Sequence, residues 1–170
     1  MTIFDLLKNV GIDDLGDVAD IASKFLGGKA DSKELVNGAK TKEEKTQLLD
    51  IIGAMLTKDS KSGNIDFFNL AAEFLNSKDN GVLQMAMNII SMLAKNFPEQ
   101  ATAILPQLLK IASGNKDKEI RKESAGLIAT TMKASFSADP KLKTQIVKLA
   151  EKETDNDIQK IYNSIIKMFK

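Results

Sequence analysis

The stretch Asp117-Lys-Glu-Ile120-Arg121-Lys-Glu-Ser124-Ala125-Gly-Leu127-Ile128 has two gapless counterparts elsewhere in the chain. Asp79-Asn-Gly-Val82 leads to Ile89-Ile90, and Asp155-Asn-Asp-Ile158 leads to Ile165-Ile166. Each aspartate stands 38 residues from the next. A weaker fourth copy opens at Thr41, carries Leu48, Ile51, Ile52 and Met55, and has Glu44 where the others have Val or Ile. A fixed period of this length marks a repeat architecture, in which one supersecondary unit buries its face only against its neighbours.

Each position has a chemical reason. Thr41, Asp79, Asp117 and Asp155 suit helix N-caps, where a side-chain oxygen accepts from an otherwise unpaired amide of the first turn. The apolar residues that follow fall at helical spacing, as in Ile158, Ile161, Tyr162, Ile165, Ile166 and Phe169. A first helix precedes each of these second helices. Leu70-Ala71, Leu108-Leu109 and Ile146-Val147 also recur every 38 residues, within helices expected at 65–76, 98–113 and 141–152. Pro98 and Pro140 suit the first helical turn. Polar turns join the pairs at 77–78, 114–116 and 153–154.

A second stripe on the later helices predicts how the units stack. It reads Leu49, Gly53, Leu56, then Met87, Ser91, Ala94, then Ala125, Ala129, Met132. In the last copy it becomes Asn163, Lys167 and Lys170. A face that is small or apolar inside the array and polar at its end predicts a capped stack of helical hairpins.

The unit at 117–128 resembles the second helix of a HEAT repeat, a family with Asp at the turn, then Val-Arg, a small residue and a Leu/Ile pair. The resemblance extends over 41–170, although Leu83 and Gln159 stand where Arg121, the only arginine, stands in its copy. It implies an all-α fold, a short right-handed α-solenoid of HEAT-like or armadillo-like hairpins with a 38-residue period. One domain spans 1–170. It divides into an irregular helical N-terminal cap at 1–40, a partial repeat at 41–64, repeats at 65–97 and 98–139, and a C-terminal capping repeat at 140–170. Within the cap, amphipathic helices are expected at 2–9 and 13–26, broken by Gly27-Gly28. Their acids at Asp5, Asp13, Asp14, Asp17 and Asp20 argue against a membrane-surface anchor.

Composition removes whole classes of chemistry. The chain has 170 residues, no cysteine and no histidine. Disulfides, thiolate catalysis and the commonest general base and metal ligands are excluded. Its 24 basic and 23 acidic side chains give a net charge of +1. Residues 1–100 carry a net −4 and residues 101–170 a net +5, which leaves the C-terminal half more basic. An acid at Asp5 interrupts what a signal peptide would need as an apolar run, and no stretch reaches the length of a membrane span. The expected location is the cytoplasm.

Dinucleotide, phosphate-loop, zinc-protease and nucleophile-elbow motifs are missing, so the expectation is a non-enzyme without cofactor, metal or catalytic residues. HEAT-like proteins are usually protein-interaction scaffolds, and the resemblance places the groove along the second helices. The ridge there comprises Gln84, Asn88 and Lys95, then Lys122, Gly126 and Lys133, and finally Lys160 and Ser164, continued upstream by Thr46, Asp50 and Thr57. Another protein is the expected partner, with no membrane involved and the chain itself a monomer or weak homo-oligomer. Met85, Met87 and Met92 offer an adaptable apolar contact, though methionines at this spacing are more often core. The alternative is a nucleic-acid-binding or DNA-repair-type HEAT-like protein. One arginine, one tyrosine and no tryptophan disfavour it.

Overall fold

The structure, a computed structural model, describes residues 41–58, 61, 63–134 and 139–169. The expected N-terminal cap at 1–40 lies outside the described residues, as does Lys170 of the stacking stripe. Eight α-helices and no strand make up the described chain. They are α1 (Lys42–Lys58), α2 (Ile65–Glu73), α3 (Asn80–Leu93), α4 (Pro98–Ala103), α5 (Leu105–Gly114), α6 (Lys118–Ala134), α7 (Pro140–Lys152) and α8 (Asn156–Met168). The all-α class is as the sequence predicts.

The caps follow the period. The Asp79 carboxylate accepts from the amides of Gly81 at 2.9 Å and Val82 at 3.2 Å. Asp117 accepts from Glu119 at 2.9 Å and Ile120 at 3.4 Å, and Asp155 from Asp157 at 3.0 Å and Ile158 at 3.2 Å. Glu44, the odd residue of the first copy, has its own purpose. Its amide donates to Thr41 Oγ1 and its carboxylate accepts from the Thr41 amide, both at 3.1 Å. That reciprocal pair is a capping box, which needs Glu at this position.

Two helices differ from the sequence expectation. The helix expected at 98–113 is broken at Ile104 into α4 and α5. Pro106 is the cause, since it has no N–H to return to the Thr102 carbonyl and its ring crowds the preceding turn. The helix expected at 65–76 tightens at Phe74 into a 3-10 turn, Phe74–Asn76.

The helices pair as α2 with α3, α5 with α6 and α7 with α8. The second helices α1, α3, α6 and α8 touch in series, and α5 touches both α7 and the 3-10 turn after α2. Equivalent residues do equivalent work. Leu70, Leu108 and Ile146 are all fully buried, and so are Ile52, Ile90 and Ile128. One continuous apolar core therefore runs from Leu48 to Ile165.

The stacking stripe is mostly as expected. Leu49, Leu56, Met87, Ala94, Ala125 and Met132 are buried, while Asn163 and Lys167 at the end are exposed. Its middle position departs from the expectation: Ser91 is exposed and Gly53 and Ala129 are half-buried. Four residues advance a helix by roughly 40° beyond a full turn, which carries this position to the edge of the buried arc.

Candidate functional site

The eight ridge residues all lie on or just after second helices. Gln84 and Asn88 project from α3 and Lys95 from the turn after it. Lys122, Gly126 and Lys133 belong to α6, and Lys160 and Ser164 to α8. All are exposed except Gly126, which is half-buried. Because α3, α6 and α8 touch in series, positions 84, 122 and 160 form one row and 88, 126 and 164 the next. Of the first-repeat equivalents, Thr57 is exposed. Thr46 and Asp50 are half-buried, and burial raises the Asp50 carboxyl above its ordinary value.

Several ridge groups are already engaged. Gln84 donates from Nε2 to Glu123 Oε1 at 2.6 Å, across α3 and α6. Lys160 pairs with Asp157 at 2.9 Å and Ser164 donates to the Ile161 carbonyl at 2.7 Å. The Lys160 hydrogen bond and charge hold Asp157 below the usual carboxylate range, and the Lys122 charge adds to this from the neighbouring helix. Lys95, Lys122 and Lys133 carry no ion pair among the described residues. Gly126 is the remaining feature. A Cβ built there meets nothing within 4 Å among the described residues, so no contact with them requires glycine. Of the three methionines, Met87 is core, Met85 is half-buried and Met92 is exposed.

A second polar constellation joins the repeats at the N-terminal ends of the second helices. Asn80 donates to the Asp117 carboxylate at 3.3 Å, and Lys118 pairs with Asp155 at 3.0 Å. In each case the first residue of one second helix reaches the capping aspartate of the next. The free oxygen of each cap thus ties two units together. Lys118 holds the Asp155 carboxyl below its usual range, with the amide of Ile158 contributing.

Arg121 and Glu153 form the most buried ion pair among the described residues. Nε meets Oε2 at 2.9 Å and Nη2 meets Oε1 at 3.1 Å, a two-pronged pair. The Arg121 side chain is 19% exposed and that of Glu153 5%. Arg121 also donates to the carbonyls of Asn115 and Lys116, while Glu153 accepts from the amides of Thr154 and Asp155. The pair therefore fastens the start of α6 to the α7–α8 turn. Hydrogen bonding to Arg121 holds the Glu153 carboxyl down and raises the Arg121 guanidinium. Beside them Tyr162 is fully buried with its hydroxyl unpartnered, and burial pushes that hydroxyl up to about 12. Sequence reasoning singled out Arg121 but missed Glu153, which holds the repeat position of Ser77 and Asn115 and, like them, accepts from the amide of the capping aspartate two residues on.

Among the described residues no group of three or more His, Cys, Asp or Glu could hold a metal ion. No described helix is long and apolar enough to cross a membrane. Compared with family models, curated proteins and solved structures, the chain matches none.

Proposed function

We propose that the chain is a HEAT-like, right-handed α-solenoid acting as a non-enzymatic, cytoplasmic scaffold that binds another protein along the ridge of its second helices. Gly126 carries this reading. Glycine inside a helix costs about 1 kcal/mol relative to alanine, and here, as at Gly53, a Cβ would meet no neighbour within 4 Å among the described residues. A flat spot midway along a row of exposed polar and basic groups fits a partner backbone that approaches closely. Lys95, Lys122 and Lys133, which form no ion pair among the described residues, would meet acidic groups on that partner.

The nucleic-acid alternative gains little support. Arg121 is occupied by Glu153 and two carbonyls, and Tyr162 is buried. Neither is placed to grip phosphate or stack on a base.

Crosslinking with an amine-reactive reagent in lysate, followed by mapping of the linked lysines, tests the scaffold reading. Crosslinks should concentrate on Lys95, Lys122 and Lys133. Charge reversal at Lys122, Lys133 and Lys160 should reduce capture without lowering the melting temperature. Unchanged capture by that triple variant would remove the ridge as the binding surface.

A further inference from the structure

The first helices carry a different surface, independent of the ridge. A groove of about 360 Å³ runs between α5 and α7. Leu109 and Leu149 form its floor, and Lys110, Lys148 and Lys152 stand around it.

The repeat explains why the groove exists. Phe68 and Leu75, at 1% and 2% exposure, are packed into the core one unit earlier. The 3-10 turn that carries Leu75 lies against α5. Thirty-eight residues on, the same positions are Pro106 and Ser113, both exposed. The bulk that closes the earlier junction is absent from the later one. A second opening of about 280 Å³ shares Ser113, Leu149 and Lys152 and continues the groove to the Arg121–Glu153 pair.

Charge selects the occupant. No carboxylate lines the groove between α5 and α7, and its three lysines form no ion pair among the described residues. Three like charges around an apolar floor favour an incoming segment that brings both carboxylates and an apolar side chain. Lys148 and Lys152 are one helical turn apart, a rise of about 6 Å. Alternate residues of an extended segment are spaced by about 6.6–6.8 Å. We propose that the α5–α7 groove binds an extended acidic peptide segment of a partner protein, reading acid–apolar–acid. The two carboxylates meet Lys148 and Lys152, Lys110 faces them from α5, and the apolar side chain covers Leu109 and Leu149. A nucleic acid would satisfy the charge but would leave that floor uncovered, and no aromatic ring or arginine lines this part of the groove.

The experiment uses the full chain and a fluorescein-labelled, end-capped peptide Gly-Glu-Leu-Glu-Leu-Glu-Gly, followed by anisotropy. Binding is expected with a Kd of about 100 µM or tighter. The double variant Lys148→Glu/Lys152→Glu should weaken it about tenfold. Ser113→Leu, which restores the bulk present at Leu75, should weaken it comparably while leaving all three lysines in place. A peptide with both leucines replaced by serine should bind several-fold less tightly. Circular dichroism confirms that each variant is folded, and if Ser113→Leu is not, the charge-reversal pair and the serine peptide decide. Equal binding by wild-type and the charge-reversed protein overturns the proposal, as does no binding of the probe at about 1 mM. Displacement of the peptide by a single-stranded oligonucleotide of equal charge, at equal concentration, also overturns it, because the groove would then read charge alone.

Discussion

Replacing Glu153 by glutamine keeps the size of the side chain and removes its charge. In the wild-type chain that carboxylate, 5% exposed, takes two bonds from Arg121 and two from backbone amides. An amide presents only one accepting oxygen, so Arg121 loses a prong and keeps its charge without a counterion. Breaking a buried pair from one side costs about 3–5 kcal/mol. Arg121 is 19% exposed and retains two carbonyl partners, which reduces the expected cost to about 2–4 kcal/mol. Urea unfolding followed by far-ultraviolet circular dichroism at pH 7 reads this directly, and the melting temperature should fall by about 6–12 °C. The pH dependence supplies an independent check. Glu153 is held below its ordinary carboxyl range in the folded state, so its contribution is present above the unfolded value near 4.5. It is lost as pH falls through the lower folded value. The stability gap between wild-type and Glu153→Gln should therefore be full at pH 7 and close in acid. A gap below about 0.5 kcal/mol at pH 7 would refute the view that this pair fastens α6 to the α7–α8 turn.

Three further outcomes follow from single side chains. Thr131 is fully buried with an unpartnered hydroxyl where the repeat elsewhere has Met55 and Leu93, so Thr131→Val should raise stability by about 1 kcal/mol in urea unfolding; a loss of that size would mean the hydroxyl has a partner. Asp117→Ala removes two amide caps and the link to Asn80, and should cost about 1 kcal/mol with a lower melting temperature, whereas an unchanged melting curve would deny the cap its role. Ala129→Lys puts a charge against the core at a half-buried stacking position and should cost about 1–2 kcal/mol, and an effect within experimental error would contradict stacking through that face.

The helices were legible because their causes are local. Capping aspartates, helical apolar spacing and the 38-residue recurrence all appear in the linear string, and the same positions are buried in successive units. Glu44 looked like a defect in the first copy because the alignment asked for an apolar residue, while the chain used the site for a capping box. Pro106 lies inside the apolar pattern at 98–113, and its one missing donor suffices to break the helix. The ridge residues could be placed on an exposed face, since that depends on period alone. Their partners could not, because Gln84 with Glu123 and Arg121 with Glu153 depend on which helices become neighbours. The α5–α7 groove was similarly hidden. The exchange of Phe68 and Leu75 for Pro106 and Ser113 is visible in the repeat, but its effect depends on α7 lying opposite.

The junction between the last two units is also mechanically lopsided. Along one edge, Lys118 is tied to Asp155 and Arg121 to Glu153. Along the other, no hydrogen bond or ion pair among the described residues links α5 to α7. Such a joint has a stiff seam and a compliant lip. Bending that spreads the lip stretches only weak apolar contacts, whereas bending the opposite way strains charged bonds at the seam. The last unit is thus mounted like a door on its hinge side, with its easiest swing set by where those two ion pairs lie.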